Sequence, residues 1–157
     1  MSDANFPLTH HAVNALAPDA DRFNSNPATD VYSLAEYERI TFVLAKGAGA
    51  TGTATLTVES CDDVTPTTTT AVAFSYRAQT SNDTWGAWTA ATSSGFTTTA
   101  GANQVYEVTI SGSELNDDDK YVRLQLTEVA NDPVDAGVLA ILTQPRYGAS
   151  VPQTAIV

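Results

Sequence analysis

Two adjacent histidines, His10 and His11, a single cysteine, Cys61, and three glutamates in patterned segments, Glu59, Glu107 and Glu128, are the residues from which a reaction centre would have to be assembled. Nucleophilic catalysis by Ser or Cys needs a base within hydrogen-bond reach, held still by its surroundings. Both histidines fall in the first 29 residues, where no regular pattern holds them. As neighbours in an extended chain their side chains diverge, which does not suit a shared metal, and no Cys or His cluster has zinc spacing. Glycoside hydrolysis needs two carboxyls about 5 to 10 Å apart, one with a raised pKa. Glu59, Glu107 and Glu128 could converge on one sheet, but a solvated strand face is the ordinary place for such residues. Asp62-Asp63 and Asp117-Asp118-Asp119 have turn character and lack the spacing of an EF-hand loop. Gly47, Gly49 and Gly52 lie between two strand-like segments, so no helix N-terminus follows to hold a phosphate, and the stretch reads as a hairpin loop. These residues predict no catalytic, cofactor-binding or metal-ligating site, no cofactor, and a protein that is not an enzyme.

The sequence "TWGAWT" offers a surface rather than a reaction, because the indole rings of Trp85 and Trp88 suit stacking on sugars or anchoring an interface. Residues three apart on a strand point to opposite faces. One indole is therefore expected on a binding surface and the other in the core.

The elements that must carry these residues follow a period of two from Asp30 onward. Ile40, Phe42 and Leu44 alternate with Arg39, Thr41 and Val43; Ala54, Leu56 and Val58 alternate with Thr53, Thr55, Thr57 and Glu59. The same alternation turns Val72, Phe74 and Tyr76 inward, then Tyr106, Val108 and Ile110, then Val122, Leu124 and Leu126. Shorter strands are expected in "SNDTWGAWTAAT" and "SSGFTTTAG", and a loop over Thr67–Thr70. About eight strands with no helix longer than a turn describe an all-β fold, a single antiparallel β-sandwich of jelly-roll or immunoglobulin-like order. Twenty-three threonines fit the solvated face of such sheets. One segment departs from the rule: in "DAGVLAILTQP" Val138, Ala140 and Leu142 share one face while Leu139 and Ile141 make the other apolar too. A strand of that kind needs cover on both sides, from the chain's own arm or from another subunit. Residues 1–29 show neither period and read as an extended arm, 30–147 as the sandwich, and 148–157 as an apolar tail that could dock on the two-faced strand. The residues expected at protein interfaces are Phe6, Leu8, Leu16, Phe23, Trp85, Leu139, Ile141, Val151 and Ile156.

Charge and length narrow the partners. The chain has 157 residues, enough for one full core, and a formal charge of −11 from eighteen acidic and seven basic side chains. Phosphate backbones and anionic membrane surfaces need clustered Lys and Arg. Here the two lysines and five arginines are scattered, so neither nucleic acid nor membrane is an expected partner. The first residues show no basic start and no apolar run of a signal peptide, which points to synthesis in a cytoplasm. With one cysteine no internal disulfide forms, and stability must come from packing, metals or association.

Three segments, "YERITFVLAKGAGATGTATLTVESCDD", "AVAFSYRAQTSNDTWGAWTAAT" and "YVRLQLTEVANDPVDAGVLAILTQPRYG", together resemble the small β-sandwich proteins encoded beside the major capsid gene in many tailed bacteriophages. Members of that family act as head decoration, or cement, proteins. The likeness covers roughly residues 31–147, about three quarters of the chain, and rests on strand and turn patterns in order. It implies a structural virion protein on the capsid exterior, made in the host cytoplasm. Its partners would be the major capsid protein and further copies of itself, a homotrimer being favoured. The arm, up to about 90 Å long if extended, would span a joint between capsomers. The alternative, carried by the tryptophans, is a carbohydrate-binding module of a phage fibre or cell surface.

Overall fold

The computed structural model describes residues 6–49, 51–81 and 83–147, and for Pro7 and Leu8 the backbone alone. The alternating segments are strands, all paired antiparallel in two sheets. After a single helical turn, α1 (Phe6–Thr9), come β1 (His10–Asp19), β2 (Tyr32–Ser33), β3 (Tyr37–Lys46), β4 (Thr53–Cys61), β5 (Thr69–Val72), β6 (Phe74–Gln79), β7 (Thr89–Ala91), β8 (Phe96–Thr97), β9 (Val105–Ser111), β10 (Tyr121–Ala130) and β11 (Ala136–Pro145). One sheet has the order β1-β11-β3-β9-β6-β7; the other runs β2-β10-β4-β5, with β8 also paired to β4. The fold is the expected all-β sandwich, with eleven strands rather than about eight. The additional ones are β1, ten residues in the segment expected as an arm, and the short β2 and β5, of two and four residues, below the length at which alternation can be read.

The core is the sum of the inward-facing sets. Ile40, Phe42 and Leu44 meet Leu56, Val58, Leu124 and Leu126 across the sandwich, all at 0% exposure. Each such side chain contributes roughly 1.5–3 kcal/mol by leaving water. Tyr32 sets its ring edge on Phe42, with 5.9 Å between centroids. At the other end Tyr76 stacks on Phe96 at 3.8 Å, joining the two sheets through β6 and β8. The apolar run through Val72 and Phe74 is not one strand. It crosses from one sheet to the other at Ala73, which is how both residues are buried although they belong to different sheets. Thr69 and Thr70, expected in a loop, open β5 against Cys61 and Ser60.

Residues 6–29 do not form an extended arm. His10–Asp19 pairs with β11 along its length, as the edge of the six-stranded sheet. The chain then crosses to the other sheet, where Thr29 N donates to Leu124 O at 2.9 Å and Leu126 N donates to Pro27 O at 2.9 Å, extending the pairing beside β10. Between the two lies Phe23, fully buried in the core rather than at an interface. The pattern was hard to read because β1 carries two register shifts, between Asn14 and Leu16 and between Leu16 and Asp19, and because an edge strand of this kind is buried only in part.

Candidate functional site

The outer face of the six-stranded sheet is where the sequence-level candidates gather. Register places His10, Ala12, Asn14, Leu16 and Pro18 of β1 beside Thr143, Ile141 and Leu139 of β11, then Arg39, Thr41, Val43 and Ala45 of β3, then Thr109 and Glu107 of β9. The two-faced strand β11 lies between β1 and β3. Its inner set, Val138, Ala140 and Leu142, is buried; of its outer set Ile141 is half-buried and Leu139 is 49% exposed. The chain's own first residues give partial cover: Phe6 stacks on His10 at 4.4 Å, and both line the same groove as Ile141. The side chain of Leu8 is outside the described set, as are Val151, Ile156 and the whole tail expected to dock here.

Two hollows occupy this face. The first, about 590 Å³, is an apolar strip walled by Leu16 and Pro18, floored by Val43, Ala45 and Leu139 and ending at Gly137 and Asp135. The second, about 520 Å³, lies toward the other end of β11, between Phe6 with His10 and Trp88, over Arg39, Thr41, Thr109, Ile141 and Thr143. The two share one lining residue, Val43.

The tryptophans stand differently from expectation. Both precede β7 in a loop, so strand alternation does not apply to them, and neither enters the core. Both rings instead lie against one guanidinium: Arg77 Cζ is 4.3 Å from the Trp85 ring centre and 4.8 Å from that of Trp88. Arg77 Nε in turn donates to Glu107 Oε2 at 2.5 Å, from the neighbouring strand β9. Cation–π contacts of this kind are worth about 0.5–2 kcal/mol each, enough to hold the loop against the sheet. Trp85 is half-buried in this stack, while Trp88 keeps 48% of its surface exposed at the groove wall. Trp88, rather than the expected Trp85, is thus the better placed of the pair to meet a partner. The signal that would have found it is Arg77, whose outward position on β6 supplies the platform for both rings.

The remaining candidates separate. Glu59 and Glu107 lie in different sheets, each bound to its own arginine; Arg123 Nε donates to Glu59 Oε2 at 2.7 Å. His11 turns away from His10 and stacks on Tyr37 at 6.2 Å. Cys61 is fully buried at the end of β4, and burial pushes its thiol up to about 11. Asp62 accepts hydrogen bonds from Thr67 Oγ1 and from the backbone of Thr67 and Thr68, which hold its carboxyl below the ordinary value; it closes the β4–β5 turn. Among the described residues no group of three or more His, Cys, Asp or Glu is arranged to hold a metal ion. No helix of the described residues is long and apolar enough to cross a membrane.

No protein-family model matches the chain, and no curated protein sequence matches it. Among solved structures, the chain is similar to one described as the crystal structure of SPBc2 prophage-derived protein YomS, at 12% identity over 86% of this chain and 93% of that one, with a TM-score of 0.44.

Proposed function

We propose that this chain is a non-catalytic structural protein of a tailed-phage virion, a head decoration or cement protein that docks on the capsid exterior and bridges major capsid proteins. The observation that carries the reading is the uncovered apolar strip: Leu139, half exposed on an interior strand, with Leu16, Pro18, Val43 and Ala45 around it. Apolar area of that kind gains roughly 25 cal/mol per Å² when another surface covers it. The edge strand β1 borders the strip, and from His10 to Pro18 it bears no Lys, Arg, Asp or Glu. A long edge without charges is open to pairing with another chain, which supports self-association as well as docking. The resemblance of the strand and turn segments to phage decoration proteins supports the choice of a viral shell over other protein partners. Binding that recognises the assembled shell alone would stabilise that state by mass action.

The test is co-sedimentation of the purified chain with empty heads assembled from the major capsid protein of its own phage. Leu139→Lys places a charge on the strip at an exposed position that the core does not use. The expected result is saturable attachment of the wild-type chain and a loss of about tenfold or more in affinity for the variant, equal to ~1.4 kcal/mol or more. Attachment equal for both, or none for either, overturns the reading.

A further inference from the structure

We infer that the groove between Phe6 and Trp88 is a binding site for an acidic saccharide, with Arg39 holding the sugar's carboxylate and Trp88 stacking on its ring. Four of the five arginines are bound to carboxylates: Arg22 to Asp19 at 3.2 Å, Arg77 to Glu107 at 2.5 Å, Arg123 to Glu59 at 2.7 Å and Arg146 to Glu38 at 2.8 Å. Arg39 has no such partner among the described residues, in a chain with eighteen acidic side chains. Its one contact is a marginal 3.5 Å approach of Nη1 to Thr109 Oγ1. Arg39 is half-buried and lines the groove, where its fork of donors meets no carboxylate among the described residues; Glu107, which lines the same groove, is held by Arg77. A carboxylate fits that fork in bidentate fashion, and partial burial strengthens the bond relative to open water.

The remainder of the groove favours a sugar over an acidic peptide. Thr41, Thr109 and Thr143 line the floor with hydroxyls, which pair with ring hydroxyls as donor or acceptor alike. Trp88 is pinned by Arg77 and stands 48% exposed, a rigid aromatic platform of the kind that packs on the apolar face of a sugar ring. The opposite wall, Phe6 stacked on His10, lies four strand spacings away, about 19 Å across the sheet, so the groove is long enough for an oligosaccharide. Its volume of about 520 Å³ falls in the usual range for small-ligand sites. The inference goes beyond shell docking and does not rest on it, since the groove and the apolar strip share a single residue.

The experiment is calorimetric titration of the full chain with sialyllactose and trigalacturonate, with lactose and maltotriose as uncharged counterparts and hexaglutamate as a polyanion without a sugar ring. The expected result is that one of the acidic sugars binds about tenfold or more tightly than its uncharged counterpart. Arg39→Gln removes that difference, Trp88→Ala abolishes binding of both, and Leu139→Lys changes neither. Circular dichroism and the thermal midpoint establish that each variant is folded. Absence of binding by either acidic sugar at millimolar concentration, hexaglutamate binding as tightly as the sugars, or an acid preference that survives Arg39→Gln overturns the proposal. Because Leu139→Lys addresses shell attachment and Arg39→Gln addresses the groove, either proposal can fail while the other stands.

Discussion

Tyr32 buries its whole side chain between the sheets, yet its hydroxyl has no hydrogen-bond partner among the described residues. Burial, with the Asp30 charge adding to it, raises its ionisation far above the ordinary phenol value. Replacing Tyr32 by Phe keeps the ring on Phe42 and removes the unpaired polar atom, so the variant should gain up to about 1–3 kcal/mol in denaturant unfolding. A loss of stability would mean that the hydroxyl is satisfied. Cys61 contributes a pH dependence whose sign follows from its neutral buried thiol. Its folded pKa, about 11, lies above the ordinary 9.0. The folded state therefore holds the proton more tightly, and this stabilisation is complete below pH 9 and lost as pH rises through about 11. Its size is up to roughly 3 kcal/mol. Lys46 acts in the opposite sense. Its ammonium donates to the carbonyls of Gly52 and Thr99 at 3.2 and 3.0 Å, and desolvation lowers it from 10.5, so its burial cost is relieved at high pH. Unfolding midpoints measured from pH 8 to 11 should fall for the wild type and fall less for Cys61→Ala. The folded thiol should also resist alkylation at pH 8, whereas the urea-unfolded chain reacts.

At the scale of elements, the segment before Tyr32 ties the two sheets together. β1 closes the edge of one sheet, Phe23 fills the core, and Pro27 to Thr29 extends the other sheet beside β10. Asn26 adds to this clasp: its Oδ1 accepts from Glu128 N at 2.8 Å and its carbonyl accepts from Gln125 Nε2 at 2.8 Å. Deleting residues 1–9 should leave the unfolding transition nearly unchanged. Deleting residues 1–28 should abolish cooperative unfolding, because it exposes β11 as a new apolar edge and empties the site of Phe23. The single change Phe23→Ala is expected to cost about 3–5 kcal/mol. If the chain lacking residues 1–28 melted like the wild type, the first strand would not belong to the fold. A second control point is the turn before β8. Gly95 adopts φ +75°, and an added Cβ would collide with the carbonyl oxygen of Leu56. Gly95→Ala should therefore destabilise by more than about 1 kcal/mol, through strain in the β7–β8 turn.

At the scale of the whole molecule, the two outer faces differ in kind. The five-stranded sheet presents Thr53, Thr55, Thr57 and Glu59 of β4 beside Arg123, Gln125 and Thr127 of β10, a polar, hydrogen-bonding surface. The six-stranded sheet presents an apolar strip and a groove lined by Arg39, which has no carboxylate partner among the described residues. With a net charge of −11, copies repel one another, and the otherwise apolar strip adds one acid, Asp135, at its end. Added salt screens that repulsion. If copies associate through the strip as proposed, that association should strengthen from low to moderate salt, whereas the proposed acidic-sugar binding through Arg39 should weaken; light scattering and calorimetry over one salt series measure both. Much of this architecture was written in the sequence. The inward sets Ile40-Phe42-Leu44, Leu56-Val58, Val108-Ile110 and Leu124-Leu126, and the second apolar face of β11, follow from a period of two, because burial of one face dictates residue type at every other position. What alternation does not encode is which strand lies beside which, and that is where expectation and structure part. β1 was hidden because its bulges break the period and an edge strand is only partly buried. Strand alternation would put Trp85 and Trp88 on opposite faces, but they lie in a loop and their common position is set by Arg77 on a different element. The sequence alone determined the fold class, the inward-facing sets of the longer alternating strands and the surplus of apolar surface, all of which are local consequences of the pattern of side chains. Only the tertiary structure decided that Phe23 is core, that the other described residues leave Leu139 half exposed, and that Arg39 and Trp88 share a groove, since each depends on residues far apart in the chain being brought together by strand pairing.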